Sequence, residues 1–493
     1  YTQRAITNIL ISGTHTFNQD SAWKLNWKLS PTKSSIKDKD VRTTSFEVVD
    51  NGTFQIKEND KPTRIWRNLD ELNLVGKLDL ERKLKLFNND SKLKFGTLGS
   101  FKGREYDIYS FRINVPDNMG ILNNGNPDDL LKSSNLWSPN NIFGNHIALY
   151  TNGGVEKGKN YDANQLTLAG YSSIEFKIGI KLKSVIGIRA EKFIQKYSGE
   201  NSGGTINYQD EKVIDKLDVF PSTNLIYSLK ENSNIRFSYS KTTARPSFKE
   251  ASIAEIFDPL SNMTFIGNIK LRPSYIDNLD LRFEIFGDKN ELFAVSGFYK
   301  SFQDPIELSY YESATENFQP KNLGNAKVFG LEFEMRKQIS QAIGININAS
   351  IIESKQEYGT SELNLRTNGL RVGESLGTYR RLQGQSPYLI NSSIDYKDEN
   401  GLITGLFFNM QGKTLEVVGT GFAPDVYTHP FESLNFNLSK KIGENKNKTF
   451  TVKIENLLDS KKESYYESFK AVNRIFSFRD LGRTFSIGYN VNF

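Results

Sequence analysis

Cysteine is absent from the 493 residues, and proline (14) and histidine (3) are scarce. Without thiols there can be no disulfide framework and no thiolate metal site. His15, His146 and His429 lie too far apart in sequence to give the spacing of a zinc centre. Long apolar runs are missing as well. No window of about 18 apolar residues occurs, which excludes a transmembrane helix. Nor does one sign of charge prevail: 63 basic and 57 acidic residues leave a formal net charge of +6, spread along the chain. A nucleic-acid partner is therefore not expected. Mean hydropathy is −0.50, but that index misses β-barrels, whose strands are only half apolar. No signal peptide is expected from the first residues given, since Tyr1 leads at once into RAITNILISGTHTF, which already alternates.

Alternation is what the sequence has in abundance. Trp23, Leu25, Trp27 and Leu29 oppose Lys24, Asn26 and Lys28. Ile174, Phe176, Ile178 and Ile180 oppose Glu175, Lys177 and Lys181. Leu279, Leu281, Phe283 and Ile285 oppose Asp280, Arg282 and Glu284, and the chain ends on Phe485, Ile487, Tyr489, Val491 and Phe493. A sustained period of two reads as strands with one apolar and one polar face. About 17 such strands can be counted, from 3–18 to 482–493, most longer than the five or six residues usual in soluble sheets.

Their connections alternate between short polar turns, such as FNNDS and KDENG, and long segments. The long ones are 35–69, 105–160, 198–213, 243–275, 304–324, 357–385, 413–430 and 459–481. In an up-and-down sheet successive connections fall at opposite ends, so one end carries turns and the other loops. That asymmetry points to an all-β, antiparallel, up-and-down transmembrane barrel in a Gram-negative outer membrane, with turns periplasmic and loops extracellular. A propeller would repeat every 40–50 residues, and no such period is seen. A soluble sandwich would use shorter strands. Faces rich in Lys, Glu, Asp and Asn suit a wide aqueous lumen better than a closed core. Single-chain bacterial barrels use even strand numbers, so 17 strands suggest the C-terminal portion of a longer barrel, with residues 1–493 as one barrel domain.

The chain resembles the barrel of TonB-dependent outer-membrane transporters, of the large family that often carries an N-terminal carboxypeptidase-like regulatory domain. The resemblance rests on GTHTFNQDSAWKLNWKLSPTKSS, TTARPSFKEAS, FIGNIKLRPSYIDNLDLRFEIF, NLGNAKVFGLEFEMRK, GQSPYLINSSIDY, KIENLLDSK and GRTFSIGYNVNF, in that order. It implies a 22-stranded barrel filled by a plug domain, of which this chain supplies strands 6 to 22. It also implies import of a scarce solute (an iron chelate, glycan or peptide) driven by the TonB energy-transducing complex. The plug and the TonB-contacting motif are not among these residues. Outer-membrane lipid, the chain's own plug and N-terminal strands, TonB, and a surface lipoprotein or envelope complex are the partners implied, with no cofactor and no enzymatic activity. Terminal Phe493 fits the family's C-terminal assembly signal. A barrel outside the TonB system, acting as a passive pore, adhesin or scaffold, is the alternative.

Candidate ligand residues lie in the long segments. Arg366, Arg371, Arg380 and Arg381, near Tyr379, could hold an anionic ligand such as an iron chelate or acidic glycan; pairing with Glu357, Glu362 and Glu374 is the plainer account. Tyr310 and Tyr311, with Phe318, could stack on sugars or aromatic chelators, or form part of an interfacial girdle. Asp128 and Asp129 could offer oxygens to calcium but lack a spaced series of further ligands, so no metal is expected. GTGFAPD at 419–425 follows no βα unit and makes a poor phosphate loop. Arg245 and Pro246 are expected to shape a strand's extracellular exit. The sequons at Asn51, Asn262 and Asn391 carry little meaning here. No catalytic constellation is evident.

Overall fold

A computed structural model of the protein describes residues 2–17, 22–49, 52–56, 61–115, 121–122, 125–130, 132–133, 150–155, 157–258, 263–421, 423–443 and 446–492. Phe493, His146 and the sequons at Asn51 and Asn262 lie outside them.

Seventeen strands form one antiparallel meander. The first is β1 (Thr2–Asn8 and Ile11–Phe17), followed by β2 (Trp23–Thr43), β3 (Thr63–Leu86), β4 (Asn89–Asn114) and β5 (Tyr161–Ile178). Next come β6 (Leu182–Glu200), β7 (Asn207–Lys230), β8 (Ser233–Ala244), β9 (Ser274–Phe286), β10 (Leu292–Gln303) and β11 (Ala326–Gln338). The last are β12 (Ile343–Glu357), β13 (Tyr388–Lys397), β14 (Leu402–Gln411), β15 (Phe431–Ile442), β16 (Lys448–Glu455) and β17 (Thr484–Val491). Each pairs with its sequence neighbours; among the described residues β1 pairs only with β2 and β17 only with β16.

The two parts of β1 keep a single register against β2, Asn8 opposite Thr32 and Ile11 opposite Leu29. The break falls opposite Pro31. Ile9 still donates its N–H to the Pro31 carbonyl at 3.0 Å, but proline has no N–H to return the bond. The short turns have matching chemistry. Phe87 and Asn88 both have positive φ (52° and 60°) and close a two-residue hairpin whose twist suits its strands.

Three segments expected to be loops are partly strand. β2, β3 and β4 run well beyond 34, 70 and 104, and β6 and β7 extend until only 201–206 separates them. In stretches such as SSIKDKDVRT both faces are polar, so the period of two loses its apolar half although the ladder continues. The other long segments contain short strands and helices of their own.

Facing follows the alternation. Leu281, Leu331 and Ile351 on the outward face are 56%, 63% and 72% exposed. Inward, Arg282 bonds Glu284 at 3.0 Å and Glu334 at 2.8 Å, and Arg236 bonds Glu284 at 2.5 Å. Ile65, Tyr106, Ile108, Tyr161, Ala163 and Tyr197 line the inner wall of β3 to β6 and are buried beneath Phe248 and Ala254 of the segment after β8.

Ile347 lies midway along the outward row of β12, and Asn348 beside it points inward, opposite Glu334. Arginine at the midplane of a barrel's lipid face costs about 2–4 kcal/mol. Ile347→Arg is expected to lower the folded fraction in membrane preparations, read by heat-modifiable mobility, whereas Asn348→Arg stays near the parent. Equal losses in the two variants would contradict this facing.

Candidate functional site

The long segments gather at one end of the barrel into a layer with its own sheets. Glu255–Asp258, Met263–Ile266, Ala314–Asn322 and Ile306–Tyr311 form one four-stranded sheet; Thr414–Val417, Asp425–Thr428, Lys462–Glu467 and Arg474–Arg479 form another. A bridge between Ser309 and Val418 joins them, with Val418 donating its N–H to the Leu308 carbonyl at 3.0 Å. Tyr310, Val417 and Val426 are buried at the junction, packed by Phe318, Tyr466 and Phe476. Burial, reinforced by the neighbouring Tyr466, Asp425 and Glu416, pushes the Tyr310 hydroxyl pKa well above its usual value.

Beside this small core lies a buried ionic network. The Arg380 guanidinium contacts both Glu307 oxygens (2.9 and 2.7 Å) and both Glu362 oxygens (2.6 and 3.1 Å). Arg366 meets Glu362 at 2.9 Å and both oxygens of Asp425 at 2.7 and 3.2 Å. Backbone N–H groups of Gln383 and Gly419 donate to Glu307 and Asp425 at 2.8 and 2.7 Å. Burial opposes charge on both arginines, yet the adjacent carboxylates outweigh it and raise their pKa above the ordinary guanidinium value. Three segments are fastened here: 304–324 through Glu307, 357–385 through Glu362, Arg366 and Arg380, and 413–430 through Asp425. The helix Thr360–Asn368 supplies the hub because Glu362 and Arg366 are one turn apart on it.

The six residues singled out in the sequence do not converge. Arg366 and Arg380 are in the network, and Tyr310 is in the apolar core, with half-buried Tyr311 at the end of its strand. Arg371 is exposed and donates to the Phe469 carbonyl at 3.1 Å. Arg381 is exposed. Of the three glutamates expected to pair, Glu362 binds both buried arginines, while Glu374 accepts from the Arg371 backbone N–H at 3.0 Å. Gly419 of GTGFAPD is turned toward the Asp425 carboxylate. Asp128 and Asp129 sit in the short helix Pro127–Leu130, with Lys132 3.0 Å from Asp129. Among the described residues no group of three or more His, Asp and Glu is arranged to hold a metal ion.

Arg245 does more than shape a strand exit. It bonds Glu191 on β6 and reaches Asp218 on β7 at 3.4 Å, with its guanidinium 4.3 Å above the Phe193 ring. The chain following β8 is thereby fixed against the inner wall, where Phe248 is buried.

A polar cavity of 260 Å³ opens between the loop sheets, with Lys270, Arg272, Lys321, Ser309, Glu362 and Thr420 among its lining residues. Arg272 pairs with Asp304 at 2.9 Å and Lys321 with Glu312 at 2.8 Å; Lys270 is exposed at the edge. Sequence reasoning missed these cations, because 267–273 and 321 meet only through the sheet that joins their segments. Glu312 also lines the cavity, so charges of both signs face it, and no nucleophile there is paired with a base.

Removing Arg380 would leave Glu307 buried without its counter-charge and Glu362 with Arg366 alone, a loss of about 3–5 kcal/mol. Arg380→Met is expected to accelerate amide exchange in 306–311, 360–368 and 425–428 without altering β10 to β15. Adding Glu307→Gln should restore part of the protection, and Arg371→Ala should change it by less than about 0.5 kcal/mol. Unchanged loop exchange in Arg380→Met would show that the network does not hold the layer together.

Comparison with solved structures shows the same fold in outer-membrane receptors. The ferric-catecholate import receptor Fiu from K12 E. coli matches with a TM-score of 0.64 at 14% identity, over 100% of this chain and 65% of that one. The ferric yersiniabactin uptake receptor FyuA from Yersinia pestis matches with a TM-score of 0.62 at 14% identity, over 100% and 62%. The pyoverdine receptor FpvA from Pseudomonas aeruginosa PAO1 matches with a TM-score of 0.62 at 13% identity, over 100% and 62%. The chain thus spans about three fifths of the length of these structures. No curated protein matches it. The pattern of the outer membrane protein beta-barrel family extends over residues 15–493, so the chain belongs to that family and crosses the outer membrane on its strands.

Proposed function

We propose that this chain forms the wall and extracellular loop layer of a TonB-dependent importer, and that its cargo is an anionic iron chelate. The observation that carries the reading is the loop layer: an ion-paired cap over a polar-lined barrel, containing a cavity where Lys270, Arg272 and Lys321 stand beside Glu312 and Glu362, with Lys270 exposed at the edge. A passive pore has no need of such a cap. The fold-level likeness to receptors whose names specify ferric chelates supports the choice of cargo. In this reading residues 1–493 are the C-terminal part of the barrel domain, completed by a plug and further N-terminal strands.

The work of the chain is then selection without covalent chemistry. Cations at the loop cavity attract the chelate, and the network of Arg366 and Arg380 keeps the surrounding segments in place. TonB, acting on the plug, releases the solute into the periplasm. Pre-formed charge lowers the reorganisation needed on binding.

Cells lacking the gene should lose energy-dependent uptake of one labelled ferric chelate, falling to the level of TonB-deficient cells under iron limitation. Lys270→Glu should raise the half-saturating concentration about tenfold, the effect of losing one charge-assisted contact. Uptake that persists without TonB, or glycan rather than iron dependence of growth, would overturn the reading in favour of a pore or a different cargo.

A further inference from the structure

A hollow bounded by described residues lies on the outer surface of the barrel. It is an open groove of 1510 Å³ across β8 to β13. One row of the sheet forms its floor: Phe237, Leu281, Gly297, Leu331, Ile351 and Tyr388 are successive register partners on six adjacent strands. Gly297 contributes no side chain at the middle of this row, between the projecting Leu281 and Leu331. A trough of this kind suits a hydrocarbon chain.

Chemistry changes in order up the wall toward the loops. The row above the floor contains Tyr239, Leu279, Tyr299 and Phe329, with Glu353 at its end. The next contains Lys241, Asp277, Ser301, Lys327 and Lys355 in register. Arg381 follows Tyr379 and Arg380, which pair with Glu357 and Gln356, so alternation directs it to the same outward face near Lys355. Lys355 pairs with Glu353 at 3.1 Å and lies 5.6 and 5.0 Å from the Phe329 and Tyr379 rings. Asp277 accepts the Tyr239 hydroxyl at 2.9 Å. Lys241, Lys327 and Arg381 form no ion pair with a carboxylate among the described residues. Apolar trough, aromatic row and surplus cations thus succeed one another over a few residues, at the height where hydrocarbon gives way to headgroups.

We propose that this face is a binding site for one acyl lipid of the outer leaflet that carries an anionic, phosphorylated headgroup. An acyl chain occupies the trough over Gly297, and the headgroup phosphate is met by Arg381 and Lys327, with Lys355 beside them. Charge decides the occupant: a neutral membrane helix or a zwitterionic lipid would leave the three unpaired cations uncompensated. Arginine above an apolar surface is well suited to phosphate, which it can bind in two-pronged fashion.

The test is native mass spectrometry of the full-length protein extracted from its own outer membrane in mild detergent, followed by exchange into vesicles with and without phosphorylated lipid. The parent should retain one phosphorylated lipid. Gly297→Leu puts a side chain into the trough, where a Cβ would stand 3.6 Å from the Leu331 side chain, an ordinary contact, and should lower occupancy about tenfold. Lys327→Glu with Arg381→Glu should do the same and abolish preference for the phosphorylated lipid. Gly76→Leu, where a Cβ would meet nothing within 4 Å, controls for bulk added elsewhere on the barrel and should retain the lipid. No bound lipid in the parent, equal occupancy in all variants, equal retention of zwitterionic lipid, or a co-purifying polypeptide that shields a cysteine placed at Gly297 would each overturn the proposal.

Discussion

Inside a bilayer no water is available to a peptide group, and an unpaired N–H or C=O there costs several kcal/mol. Every other feature of this chain follows from meeting that constraint with strands. Seventeen strands pair in sequence order, and their ladder forces side chains to alternate between hydrocarbon and lumen. The exception at Ile9 and Leu10 illustrates the rule: Pro31 lacks the donor, and the pairing lapses only there before resuming in the same register.

Alternation also settles where charge can go. Arg236, Arg282, Glu284 and Glu334 project into the lumen from β8, β9 and β11, and answer one another across strands. Such pairs would be costly in a closed core. In a wide barrel they face a polar interior, where charges of both signs can answer one another, and the 63 basic and 57 acidic residues of the chain nearly balance. Where the wall meets the loops, apolar contacts take over again, with Phe248 on a shelf of Tyr106, Tyr161 and Tyr197 whose rings lie 5.3 and 5.9 Å apart in sequence.

The wall was readable in the sequence because a period of two is a local signal. In β12, IGININASII shows its facing without any partner. Legibility fails where both faces are polar, as in Ser34–Asp38, since the ladder persists but leaves no apolar trace. It also fails for four-residue strands such as Glu255–Asp258, which are too short to display a period; the hairpin partner Met263–Ile266 joins the sheet through Ala314–Asn322, some fifty residues on. The loop arginines illustrate a third kind of failure. Their pairing with Glu362 lies within reach of local reading, but Glu307 is 73 residues from Arg380 and Asp425 is 59 from Arg366. Only the assembled loop layer brings those charges together.

Wall and loop layer meet at Tyr379 and Arg380, a strand of two residues added to the end of β12. Arg380 turns inward to the buried carboxylates, and Tyr379 and Arg381 turn outward toward the membrane boundary. A slip of one residue would exchange these faces. A slip that puts Tyr379 in the place of Arg380 would leave Glu307 buried opposite tyrosine and Glu362 with Arg366 alone, and would put Arg380 outside, opposite Lys355. Stranding buried charge in this way costs about 3–5 kcal/mol, more than the backbone hydrogen bonds of so short a strand can contribute at about 1 kcal/mol each. At this point the ionic network sets the register of the sheet, whereas everywhere below it the sheet sets the position of the charges.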